Sequence, residues 1–161
     1  MSFTDQQIAD AKEVIAYYTL AASGTGAVPV PAASAAIMAQ NGVMIAHVAS
    51  KMGMKIDATT VISSLGITGS LNVVGRNLFI EGAKLLSWGT GSVWALAALS
   101  ALGAATAGVQ TYIIGMLAIE ICKNNGVVLT AERAGNIIEH AKDSYDSFKA
   151  EWKNKVPVKP Q

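Results

Sequence analysis

Residues 91–117 read GSVWALAALSALGAATAGVQTYIIGML and contain no charged side chain. The uncharged stretch continues on both sides to cover residues 85–119, and a second one covers residues 14–50. As a helix, residues 92–119 would extend about 42 Å at 1.5 Å per residue, whereas the hydrocarbon core of a bilayer is roughly 30 Å thick. Such a segment is typical either of a membrane contact or of a helix buried inside a bundle.

The composition indicates an apolar surface that must be covered. Of the 161 residues, 52% are hydrophobic and 14% are charged, whereas about 25% of the residues of an ordinary globular domain are charged. A monomer of this size has too few charged side chains to cover itself, so some apolar face must meet lipid or another subunit. The net charge of +1 gives no attractive field for nucleic acid, and we expect no nucleic-acid binding.

The first helix is predicted from its cap and its periodicity. Thr4 and Gln7 have the spacing of a capping box, in which each side chain bonds to the backbone of the other residue. An apolar face follows at helical spacing, formed by Ile8, Ala11, Ile15 and Tyr18. Pro29 and Pro31 interrupt helical structure further on and predict a hairpin turn.

The rest of the chain also favours helices. We predict them over residues 32–52, 57–69, 71–88 and 92–124, with a strand as the alternative for the short second one. Thr130 then caps a last, amphipathic helix. Its apolar positions repeat every three or four residues and are Ala134, Ile138, Ala141, Tyr145, Phe148 and Trp152. The aromatic end of this stripe, Tyr145, Phe148 and Trp152, is a candidate partner face.

Small residues in the long apolar helix are candidates for close helix packing. Ser100, Ala104 and Gly108 recur every four residues and form a ridge that lets another backbone approach closely, and Gly115 extends it. The sequence therefore predicts an all-α fold, a compact bundle of five or six helices with the Ala/Gly-rich helix at its centre. We expect a single helical domain over residues 1–150, followed by the helix end and a basic, proline-containing, mobile tail over residues 151–161.

No catalytic, cofactor or metal constellation is recognisable. The two GTG turns lack the third glycine of a dinucleotide-binding loop, and no phosphate loop is present. His47 and His140 lie far apart, without the converging ligands of a zinc site. The single Cys122 excludes an internal disulfide, and we expect a buried, inert thiol. We therefore expect no enzyme, and an enzyme that depends on His47 or Gln40 is the least favoured alternative.

Two segments carry a resemblance to a known family. The first, AVPVPAASAAIMAQNGVMIAHVASKMGMKI, contains a proline turn, a helix with Gln40 and Met44, and a closing Gly53. The second, GTGSVWALAALSALGAATAGVQTYIIGMLAIEIC, is an Ala/Gly-rich helix that leads into Thr111, Tyr112 and a glycine. Together they resemble the GTPase-associated domain of unknown function numbered six-nine-seven, over roughly residues 21–123.

The resemblance implies a compact helical unit that is often joined to a bacterial GTPase domain and often predicted to touch membrane. This chain departs from that arrangement because it has neither G-x-x-x-x-G-K-[ST] nor N-K-x-D. Guanine-nucleotide hydrolysis is therefore unsupported here. The family supplies no catalytic residues to transfer.

These observations predict a non-enzymatic, self-associating helical protein that acts at the cytoplasmic membrane face. Lipid contact would be made by the Pro29/Pro31 hairpin and by residues 85–119. The N-terminal residues lack the basic start and apolar core of a secretory signal, so we expect a cytoplasmic location. The alternative is a soluble homo-oligomeric interaction module, or a partner of a GTPase, whose apolar face is covered by other subunits.

Overall fold

A computed structural model describes the backbone of residues 2–26, 32–56, 60–61 and 93–161. Within these ranges it describes all side chains except those of residues 24–26, 32–39, 93–107 and 131. This part of the chain is all-helical, with four helices and no strand: α1 (Asp5–Gly26), α2 (Ala32–Lys51), α3 (Val93–Lys123) and α4 (Ala131–Trp152). The predicted all-α class is confirmed there. Of the helices predicted between residues 57 and 88, only residues 60–61 are described, and both are helical; the rest lie outside the described residues.

The predicted helix starts are confirmed at α1 and α4. Gln7 N–H donates to Thr4 Oγ1 at 3.1 Å, and Thr4 N–H donates to Gln7 Oε1 at 2.9 Å, which completes the capping box. Thr130 caps α4, where its Oγ1 accepts a bond of 3.3 Å from Arg133 N–H. Both caps are made within four residues of sequence, which is why spacing alone predicts them.

The turn after α3 uses left-handed backbone. Asn125 has φ of 57° and Gly126 has φ of 77°, a region that asparagine and glycine tolerate better than other residues. Gly126 N–H donates to the carbonyl of Ile121 at 2.9 Å, so one of the free carbonyls of the helix end is satisfied. The turn allows the chain to begin α4 five residues later.

Helix α3 contacts each of the other three described helices, and α1 also packs along α2. α1 and α2 run in opposite directions, because Tyr18 contacts His47 while Gln7, near the start of α1, lies beside Gly53 after the end of α2. α2 and α3 run in the same direction. Thr111 of α3 is hydrogen-bonded to Asn41 of α2, and fifteen residues later in each segment Gly126 lies beside Ile56.

The second half of α3 forms the interior of the described region. Every residue from Gly108 to Cys122 is buried or half-buried. The most completely buried side chains of this segment are those of Thr111, Leu117, Ala118, Ile119, Ile121 and Cys122. A helix that is apolar on all sides is found either inside a protein core or in a membrane. The later part of the uncharged stretch, residues 108–119, is thus covered by α1, α2 and α4 of its own chain.

Among the residues that the structure describes, no helix is long and apolar enough to cross a membrane.

Candidate interaction sites

Two glycines of α3 lie directly against side chains of the neighbouring helices. A Cβ added at Gly115 would be 2.6 Å from Ile15 Cγ1, and one at Gly108 would collide with the Tyr145 hydroxyl oxygen and lie 2.5 Å from Ser23 Oγ. At Gly115 the neighbouring atoms are the branch atoms of Ile15, so this glycine allows α1 to pack closely on α3, whereas at Gly108 the neighbours are the hydroxyl ends of side chains. Ser100 and Ala104 belong to the same helix, but their side chains lie outside the described residues, as do Pro29 and Pro31.

A chain of hydroxyl groups links α4 to α1 across Gly108. The Tyr145 hydroxyl is hydrogen-bonded to Ser23. Because Ser23 Oγ donates to the Thr19 carbonyl at 2.9 Å, Tyr145 is the donor in its own bond. Burial raises the pKa of Tyr145, which keeps its hydroxyl protonated as a donor. The side-chain oxygen of Thr19 is buried, with no hydrogen-bond partner among the described residues.

We expect Tyr145→Phe to lower the free energy of unfolding by about 1 kcal/mol, because the hydrogen bond to Ser23 is lost while the ring is kept. The wild-type protein also loses stability as the pH rises above about 10, because unfolded Tyr145 releases its proton at a lower pH than the folded side chain. The variant lacks that part of the loss. Urea unfolding at neutral and alkaline pH measures both effects. Identical stability and an identical pH profile would contradict the assigned bond.

The aromatic stripe of α4 packs within the chain. Tyr145 and Phe148 are buried, and the ring of Phe148 lies 4.4 Å from that of Tyr112 on α3, centroid to centroid. The Tyr112 hydroxyl is hydrogen-bonded to Ser144 Oγ at 2.9 Å. Only Trp152, the last of the three candidate partner residues, keeps part of its surface open.

Two further polar pairs join the helices. Thr111 Oγ1 donates to Asn41 Oδ1 at 2.9 Å in the buried contact of α2 with α3. The Tyr18 hydroxyl lies 2.8 Å from His47 Nδ1 in the partly buried contact of α1 with α2. Both pairs join residues that are far apart in sequence. Each pair connects two neighbouring helices and helps to fix their register.

The remaining candidates for chemistry are isolated. Cys122 is completely buried, and burial raises the pKa of its thiol to about 11, so the group stays protonated near neutral pH and is a poor nucleophile. His140 is exposed on α4. The described part of the chain contains no group of three or more His, Cys, Asp and Glu side chains that could hold a metal ion.

The C-terminal tail contacts α1, which the sequence did not indicate. Val158 N–H donates to Glu13 Oε1 at 3.0 Å, and Pro157 is buried. The predicted mobile end is thus packed on the first helix in this structure. A backbone donor leaves no signature in a sequence, so neither composition nor spacing could have found this contact.

Comparison with models of known families, with curated proteins and with solved structures finds no match for this chain. The resemblance to the GTPase-associated family therefore stays a prediction that rests on the residues quoted above.

Proposed function

We propose that the protein is a non-enzymatic, self-associating helical protein. The observation that carries the proposal is the composition, in which 52% of the residues are hydrophobic and 14% are charged. Part of this apolar surface is buried within the chain, since α3 is covered from Gly108 to Cys122. Among the side chains that the structure describes, the large hydrophobic ones that stay exposed are Leu20, Val43, Val127, Val156 and Val158. A second copy would cover such surface.

The architecture that we propose is a bundle of five or six helices around the Ala/Gly-rich α3. The contacts of α3 with α1, α2 and α4 support its central place. The close approach of α1 at Gly108 and Gly115 supports the proposed role of small residues in helix packing. The additional helices are those predicted from residues 57–88.

The proposed place of action is the cytoplasmic membrane face. The two uncharged stretches favour it, because lipid is one of the surfaces that can cover them. Since residues 108–119 are covered by the chain itself, lipid contact would fall to the Pro29/Pro31 hairpin and to residues 85–107. The alternative is a soluble homo-oligomeric module, and the further idea of a GTPase partner rests on the family resemblance alone.

Size-exclusion chromatography with light scattering tests self-association. We expect a defined multiple of the 16.7 kDa chain mass without detergent, whereas a single copy in plain buffer would contradict the proposal. Flotation with anionic phospholipid vesicles separates the two versions. Membrane action predicts that the protein floats with the vesicles, and the soluble module predicts that an oligomer of unchanged mass stays at the bottom of the gradient.

A further inference from the structure

The chain crosses α1 after the end of α4. Trp152, Lys155 and Val156 line two neighbouring grooves, one shared with the first half of α1 and the other shared with Leu20. The segment that follows Trp152 therefore passes over α1 between its first half and Leu20.

The burial of α1 agrees with this path. Ala16 lies one helical turn from both Lys12 and Leu20, which are exposed, yet Ala16 is completely buried. The tail residue Pro157 is buried and also lines the groove beside Leu20. A C-terminal segment that crosses α1 near Ala16 would bury both Ala16 and Pro157.

Charge and hydrogen bonding suit the tail to this surface. Residues 153–161 contain three lysines and no acidic side chain, whereas the first half of α1 contains Asp5, Asp10 and Glu13 against Lys12. The contact includes one bond to a charged acceptor, from Val158 N–H to Glu13 Oε1. Bonds to ionised acceptors are stronger than those between neutral groups.

The segment is attached by few groups and can reach a neighbour. The side chains of Val156 and Val158 are 91% and 70% exposed, so they add little burial. A nine-residue segment can extend about 30 Å. If the tail leaves its own α1, the same contacts can form on another copy, which is the low-cost route to dimers known as domain swapping.

We propose that the face of α1 around Glu13, Ala16 and Leu20 is a binding surface for the C-terminal segment, and that a second copy of the chain supplies this segment when the protein self-associates. The inference rests on the proposed self-association and names a segment that the two copies exchange. A second copy is the occupant because each chain carries both the basic segment and its acidic acceptor. Two copies can therefore exchange tails reciprocally, in a closed dimer.

Two full-length variants test the exchange. Glu13→Ala removes the acceptor, and Val158→Pro removes the N–H donor while it keeps an apolar residue in an extended segment. We expect each variant alone to self-associate about as strongly as the wild type, because the bond is lost from the closed monomer and from the exchanged dimer alike. In the closed monomer neither variant can form this bond. Mixed, they regain one complete contact, since the tail of Glu13→Ala meets the acceptor of Val158→Pro.

Native mass spectrometry of the mixture provides the readout, because the two variants differ in mass. A mixed dimer favoured roughly tenfold over either homodimer, because it alone contains the bond to the charged acceptor, supports the exchange. The matched controls are Glu13→Gln, which keeps an oxygen acceptor, and Val158→Ser, which keeps the N–H. A mixture of these two should form mixed dimers and homodimers without preference, because each already makes its own contact. Circular dichroism establishes that each variant is folded.

The outcomes separate the two levels of inference. If the proteins self-associate but the mixture of Glu13→Ala and Val158→Pro shows no preference for the mixed dimer, the tail is not the exchanged element and the inference is overturned while self-association stands. If every protein, including the wild type, is a single copy, self-association itself is overturned, and the inference with it.

Discussion

Replacing Gly115 by alanine is expected to lower the free energy of unfolding by about 2 kcal/mol, because overpacking of roughly 3 kcal/mol outweighs a gain of about 1 kcal/mol in helix propensity. The added Cβ would lie 2.6 Å from Ile15 Cγ1 and 2.9 Å from Ile15 Cγ2. Both atoms are bonded directly to Cβ of a completely buried, β-branched side chain, which has one preferred rotamer in a helix. Chemical unfolding followed by far-UV circular dichroism measures the change.

The matched control is Gly135→Ala on α4. A Cβ there meets nothing within 4 Å, so the same substitution should stabilise the protein by up to about 1 kcal/mol. The double variant Gly115→Ala/Ile15→Ala should lose less than the sum of its single variants, because removal of the Ile15 branch makes room for the new methyl group. Equal stability of Gly115→Ala and Gly135→Ala would contradict the close approach of α1 to α3.

Thr111→Val is expected to lower the free energy of unfolding by about 2 kcal/mol, since it leaves a buried acceptor without its donor. Thr111 is completely buried, Asn41 is 5% exposed, and the bond between them is 2.9 Å long. Valine has nearly the shape of threonine, so the loss reports the hydrogen bond more than the packing. The same unfolding measurement applies, with an unchanged denaturant slope as evidence that the folded state is intact.

Two comparisons make this result specific. Thr111→Ser keeps the hydroxyl and should lose less than Thr111→Val. Asn41→Leu/Thr111→Val removes both polar partners and should also lose less than Thr111→Val alone, because no unpaired group stays buried. If Thr111→Val is as stable as the wild type, the contact between α2 and α3 does not depend on this bond.

The features that the sequence predicted correctly are local. The Thr4–Gln7 capping box and the Thr130 cap need only a few consecutive residues. The apolar faces of α1 and α4 follow from a period of 3.6 residues, and the predicted positions Ala11, Ile15 and Tyr18 are indeed buried.

The features that the sequence could not predict join distant segments. Periodicity identified the aromatic stripe of α4 as apolar but could not say what covers it, and in the structure Tyr112 of the same chain does so. The contact of Glu13 with Val158 spans 145 residues and uses a backbone donor. The low content of charged residues likewise indicates that an apolar face must be covered, but it does not indicate what covers that face. In α3 from Gly108 onward the cover is supplied by the chain itself.

Sedimentation equilibrium over a series of protein concentrations in detergent-free buffer tests the central claim most directly. Self-association predicts an average mass that rises with concentration to a fixed multiple of 16.7 kDa. A constant mass of one chain at every concentration, unchanged when phospholipid vesicles are added, would contradict it.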